Sequence, residues 1–367
     1  MRPATPLLTI DAISCGHDPA NPVIRELSCQ VVQGEMVSLL GASGCGKTTV
    51  LRAIAGFVPL LAGTILLREE RLSAPGFTLA PERRRVGMVF QDYALFPHLT
   101  VEENVAFGLK GRPKEEIRTV TRDMLHLVGM ESLGRRHPHE LSGGQQQRTA
   151  LARALAPKPA LILLDEPFSN LDVDLRERLA LEVRQILVSQ EMTGILVTHD
   201  QHEAFAWGDQ VGVLHEGNLR QWDTPFALYH RPVDPFVAGF IGQGTFVAGT
   251  CLTPNVMQTP VGLLQGTPQP YRPNPGDPVR VLVRPDDVVP DPDSPIHARV
   301  IRRAFKGATT LYTLQLDSGC QLQSLFPSHV DHAIGERVPI RVATDHLVLF
   351  ANTGPGVTME CVPSAIN

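Results

Sequence analysis

Nine residues constrain this chain more than any others: Gly41-Ala42-Ser43-Gly44-Cys45-Gly46-Lys47-Thr48-Thr49. They follow the apolar run Met36-Val37-Ser38-Leu39-Leu40 and lead into Val50-Leu51-Arg52-Ala53-Ile54-Ala55, a helix-forming segment. Strand, glycine-rich turn and helix start form the setting in which such a motif binds phosphate. The glycines let consecutive backbone N–H groups turn towards one anion, and the helix N-terminus adds its partial positive charge. Lys47 is placed to reach the outer phosphates of a nucleotide, and the Thr48 hydroxyl to ligate Mg²⁺. Cys45 occupies a variable slot of the loop, where a helix N-terminus lowers a thiol's pKa.

The other motifs lie at the ends of apolar runs or at helix starts. Arg85 to Phe90 reads as a buried strand, and Gln91 at its end is an amide able to ligate Mg²⁺ weakly. Asp92-Tyr93-Ala94-Leu95-Phe96-Pro97 then gathers three bulky apolar groups, the pattern of an exposed partner site. Thr100 and Glu103 form a helix-start pair, and Ile117, Val120, Met124, Leu125 and Val128 recur at helical spacing. Leu141-Ser142-Gly143-Gly144-Gln145 precedes a helix-forming run to Leu155, which makes a second anion-seeking helix N-terminus. The apolar strand Leu161 to Leu164 ends in Asp165-Glu166, and Gly194 to Thr198 ends in His199. Asp165 is placed to hold Mg²⁺, and Glu166 to polarise an attacking water.

This order of motifs resembles the ATP-binding subunit of a bacterial ABC transporter, over about residues 5–240. The resemblance implies ATP and Mg²⁺ as cofactors. It implies a phosphate cradle at Gly41, Ala42, Ser43, Gly44, Cys45, Gly46, Lys47, Thr48 and Thr49, with metal ligands Thr48, Gln91 and Asp165. Glu166, His199, Lys47 and Gln91 would act in catalysis, with His199 contacting the γ-phosphate. Ser142, Gly143, Gly144 and Gln145 would hold the nucleotide of a second subunit, so the active form would be a homodimer. His17 aligns with the aromatic residue that stacks on adenine in this family. Ser169-Asn170-Leu171-Asp172 matches the subunit-facing loop, with Asn170 where alanine is more usual. Such a subunit sits peripherally on the cytoplasmic face of the inner membrane, against permease subunits that receive cargo from a periplasmic solute-binding protein.

Beyond Gly242 the pattern changes to short strands separated by proline and glycine, clearest at 279–283, 296–301, 309–316 and 338–342. The fold expected is therefore an α/β P-loop ATPase domain over 1–240, with a helical insert at about 97–155. A small all-β, OB-like regulatory domain follows over 241–352, then a flexible tail over 353–367. The stretch 289–298 and the run from Pro138 to Arg148 are similar to ferric-iron importers, which makes ferric iron the first expectation for cargo. Polyamine, phosphonate, sulfate and sugar importers remain alternatives, as does a soluble ABC ATPase of DNA repair or translation. The net charge of −5 disfavours a nucleic-acid partner, and neither a coiled-coil insertion nor a second ATPase half is evident. No apolar run approaches the roughly 18 residues of a membrane span, and no signal peptide is evident. The six cysteines show no metal or disulfide spacing, which favours a reducing compartment.

Overall fold

The computed structural model describes residues 6–352 except 17, 170, 172 and 345, together with 361–363. The chain forms two compact units, Met1–Pro225 and Phe226–Asn367.

The first unit is built on two sheets. A six-stranded sheet runs in the order Asn218–Asp223, Gln210–His215, Met36–Leu40, Thr193–Thr198, Leu161–Asp165 and Val86–Val89. Its strands are parallel except for Asn218–Asp223 at one edge. The three central strands are buried along their whole length, because elements pack on both faces of a parallel sheet. Alternate side chains divide between two cores. Val37, Leu39, Leu161, Leu163, Ile195 and Val197 face the helix Lys47–Ala55 and an antiparallel sheet. Met36, Ile162, Leu164 and Leu196 face a core built with the helices Val101–Ala106, Lys114–Leu127 and Gly143–Leu155.

The antiparallel sheet, in the order Ile24–Val32, Pro6–Cys15, Leu60–Leu67, Glu70–Ala74 and Phe77–Thr78, has three strands that the sequence reading does not anticipate. Its hairpin turns at Arg68 and Glu69, with φ of 47° and 69°. That two-residue turn normally advertises itself with Asn or Gly.

The second unit holds a seven-stranded and a five-stranded sheet, with a core that includes Val247, Val281, Tyr312, Leu314, Phe326 and Leu349. Two expectations change here. The boundary falls at Pro225, not 240, because the segment after it packs on the second unit. Ala238 of the helix Pro235–Ile241 lies against Phe246, Leu282, Val348 and Phe350. Arg284, 4% exposed, donates to the carbonyls of Tyr229, Ala238, Gly242 and Gln243. Within the expected tail, Cys361–Pro363 is a strand paired with Thr245–Val247, and residues 353–360 and 364–367 lie outside the described residues. Cys320 is disulfide-bonded, whereas Cys15, Cys29, Cys45 and Cys251 are free thiols. Folding, rather than spacing along the chain, decides which cysteines meet.

Candidate active site

Three adjacent parallel strands, Met36–Leu40, Thr193–Thr198 and Leu161–Asp165, run in register with Leu40 beside Thr198 and Asp165 beside Val197. Their carboxyl ends therefore deliver the phosphate loop, His199 and the Asp165–Glu166 pair to one edge of the sheet. Open α/β sheets bind ligands at that edge. Val86–Val89 flanks Leu161–Asp165 on its other side and brings Gln91, which is exposed, to the same edge.

The loop is shaped by two glycines for different reasons. Gly46 caps the helix Lys47–Ala55 with φ of 106°, a left-handed conformation unfavourable to other residues. A Cβ on Gly41 would lie 2.5 Å from the Leu214 carbonyl oxygen and 2.6 Å from Cys45 Sγ. Lys47, 4% exposed, donates its ammonium to the Gly41 and Ala42 carbonyls at 2.8 and 2.9 Å. A buried cation held only by neutral carbonyls beside a helix N-terminus is a cradle suited to a polyphosphate. Cys45 is buried, and burial raises its thiol pKa despite the nearby Lys47 ammonium, opposite to the shift expected from the helix N-terminus.

Thr48 Oγ1 donates to Asp165 Oδ1 at 2.7 Å. Burial raises the Asp165 pKa, partly offset by that hydrogen bond and by Arg52. Hydroxyl and carboxylate oxygens are the hard donors Mg²⁺ prefers, so these residues fit the metal. Glu166 takes φ of 43°, uncommon for a side-chain-bearing residue. Its N–H donates to Val197 O at 3.0 Å, and its carbonyl accepts from Ser169 Oγ at 2.9 Å. The turn aims its carboxylate at His199, whose Nδ1 lies 3.0 Å from Glu166 Oε2. Behind the histidine, Thr198 Oγ1 donates to buried Glu203 at 2.5 Å, and Asp200 caps the helix Gln201–Trp207 through the His202 and Glu203 amides. Glu203 escapes the sequence reading because its spacing after Asp200 matches an ordinary helix cap.

Ser142 caps the helix Gly143–Leu155 reciprocally: its Oγ accepts from the Gln145 amide, and Gln145 Oε1 accepts from the Ser142 amide. Gly143 lies against Leu171 and Gly144 against Leu179. Among the described residues, none of Ser142, Gly143, Gly144 or Gln145 hydrogen-bonds the phosphate loop. His17, Asn170 and Asp172 lie outside the described residues.

The segment after Gln91 differs from expectation. Tyr93 is 5% exposed and Leu95 packs against the second core. Phe96 packs against Phe107 with tilted rings whose centroids are 4.2 Å apart, and its backbone N–H and carbonyl are both held by Asn104. Arg153 donates to the Tyr93 and Ala94 carbonyls. These side chains anchor the helical insert rather than form an open apolar patch. The exposed aromatic ring here is Phe107 at 37%.

Among the described residues no helix is long and apolar enough to cross a membrane. A family model described as ABC transporter matches residues 24–169, and one described as TOBE domain matches 281–350. The chain is 41% identical over 342 residues to the spermidine/putrescine import ATP-binding protein PotA of Lawsonia intracellularis, covering 86% of this chain and 90% of that protein. It is 38% identical over 353 residues to the Fe(3+) ions import ATP-binding protein FbpC of Fusobacterium nucleatum, covering 93% of each. Against FbpC 2 of Rhizobium meliloti the identity is 44% over 269 residues, 73% of this chain and 67% of that protein.

Proposed function

The chain belongs to the ABC transporter family as an ATP-binding import subunit with a C-terminal TOBE domain, and on that premise we propose how its residues hydrolyse ATP and what the hydrolysis moves. The single observation that carries the reading is the Glu166–His199 pair at the sheet edge that also bears the phosphate loop. Lys47 exchanges its carbonyl partners for the outer phosphates. Thr48 and Asp165, with Gln91 at the neighbouring strand end, would hold Mg²⁺, which would supply charge neutralisation for the phosphates. Glu166 orients the attacking water and draws on its proton, and His199, hydrogen-bonded to that carboxylate, keeps it turned towards the γ-phosphate.

The active form is a head-to-tail homodimer in which Ser142, Gly143, Gly144 and Gln145 close over the partner's nucleotide. In this reading the pair docks peripherally on a membrane permease, fed by a solute-binding protein. The cargo we favour is a polyamine, supported by similarity to several spermidine/putrescine import ATP-binding proteins; ferric iron is the second reading, supported by the FbpC relatives. An ATPase subunit need not touch the cargo, so the choice rests on the relatives, which do not single out the ferric iron expected from the sequence. Uptake of labelled putrescine and of ferric iron by cells lacking this chain, with and without complementation, decides between them.

The chemical assignment is tested by Glu166→Gln, expected to bind ATP while turnover falls about 10²–10⁴-fold, the usual cost of a lost general base. Lys47→Ala should instead weaken ATP binding itself. Near wild-type hydrolysis by Glu166→Gln would remove Glu166 from the role.

A further inference from the structure

Arg176 of the helix Val173–Ser189 bridges two loops of the candidate site. Its Nη2 donates to the Leu171 carbonyl at 3.1 Å. Its Nη1 lies 3.5 Å from Asp200 Oδ2, and its Nε 3.4 Å from Glu203 Oε1. The Nε contact is an ion pair without hydrogen-bond geometry, as Nε makes no hydrogen bond. The side chain is 18% exposed and that of Glu203 4%, so the charges interact with little solvent screening. Asp200 and Glu203 fix the start of the helix that follows His199, and Glu203 also receives the Thr198 hydroxyl immediately before it. Leu171, at the other end, packs against Gly143 of the second anion-seeking helix start.

We propose that Arg176 is a positioning residue that ties the Leu171 segment to the turn carrying His199, so that a shift at Gly143 or Leu171 changes the seating of His199 on Glu166. The guanidinium is suited to this because its planar fork engages a carbonyl and two carboxylates on separate sides. A Leu171 carbonyl that moves with its hydrogen bond intact draws Arg176, and with it Asp200 and Glu203, along. The inference deepens the hydrolytic reading above and rests on it for its kinetic consequence, but not for the contact itself.

Two measurements on the full chain test it. In steady-state ATPase assays, Arg176→Met should lower kcat about 10-fold with KM for ATP within about twofold, and Arg176→Lys should recover part of the loss. In a His199→Ala background, Arg176→Met should cause no further loss, because it acts through that imidazole. Losses that multiply, or a loss confined to KM, would overturn the proposal. Independently of turnover, the His199 imidazole resonances of Arg176→Lys and Arg176→Met should move towards those of Glu166→Gln. Resonances unchanged from wild type in both variants would also overturn it. If wild type hydrolysed no ATP, the hydrolytic reading would fail, and the resonances would still decide whether Arg176 seats His199.

Discussion

At the scale of single residues, burial repeatedly outweighs the local cue that a sequence offers. Cys45 sits where a helix N-terminus lowers a thiol pKa, yet its burial raises it. Asp287 behaves likewise in the second unit, where burial pushes its pKa up to about 6, although the Arg284 N–H bonded to it acts the other way. A carboxyl with a raised folded-state pKa favours the folded state below its unfolded value, and that contribution is lost as pH rises through the folded one. Raising the pH from about 4 to about 6.5 should therefore remove a stabilising contribution from this unit. Asp287→Asn, which keeps an acceptor for the Arg284 N–H, should flatten that part of the profile. Thermal unfolding followed across this window checks it, and an unchanged slope would exclude Asp287 as the source.

Among the elements, the helix behind the phosphate loop is held at its far end by an interaction that leaves no motif. Arg84 is 1% exposed and uses all its guanidinium donors on neutral acceptors: the carbonyls of Ala53, Ile54, Leu72 and Leu79, and Ser73 Oγ. Its charge lies at the C-terminus of the helix Lys47–Ala55, where a cation is favoured, although burial lowers its pKa to about 10. Arg84→Met strands four backbone acceptors and should cost about 3 kcal/mol or more; urea unfolding measures it. Arg84→Lys, with only three donors, should fall between. The parallel strands were legible because Leu161–Asp165 and Thr193–Thr198 are buried on both faces and read as unbroken apolar runs. Their motifs were legible too, since Gln91, Glu166 and His199 each follow the end of such a run and Lys47 follows the glycine-rich loop after another. The Leu60–Ala74 hairpin was not, because Arg68 and Glu69 take a turn conformation that ordinarily needs Asn or Gly. Arg84 and Arg176 were not, because their partners are carbonyls and carboxylates far apart in sequence.

At the scale of the whole molecule, the proposed dimer gives each site one phosphate loop and one Ser142 helix start from different subunits. With ATP and Mg²⁺, Glu166→Gln should roughly double in mass by light scattering, since slow turnover preserves the closed pair. Mass that stays at 40.1 kDa would count against self-association of the isolated chain. Mixing Ser142→Arg with Lys47→Ala subunits should restore one complete site per pair, and with it part of the ATPase activity neither variant has alone. Ser142 carries a further consequence. Its oxygen accepts the Gln145 amide, a task aspartate performs equally well at a helix start, while its hydroxyl proton remains available to an anion. Ser142→Asp should therefore fold and melt like wild type yet repel the partner's nucleotide. A library sorted by thermal survival would retain this variant, and one sorted by transport would discard it.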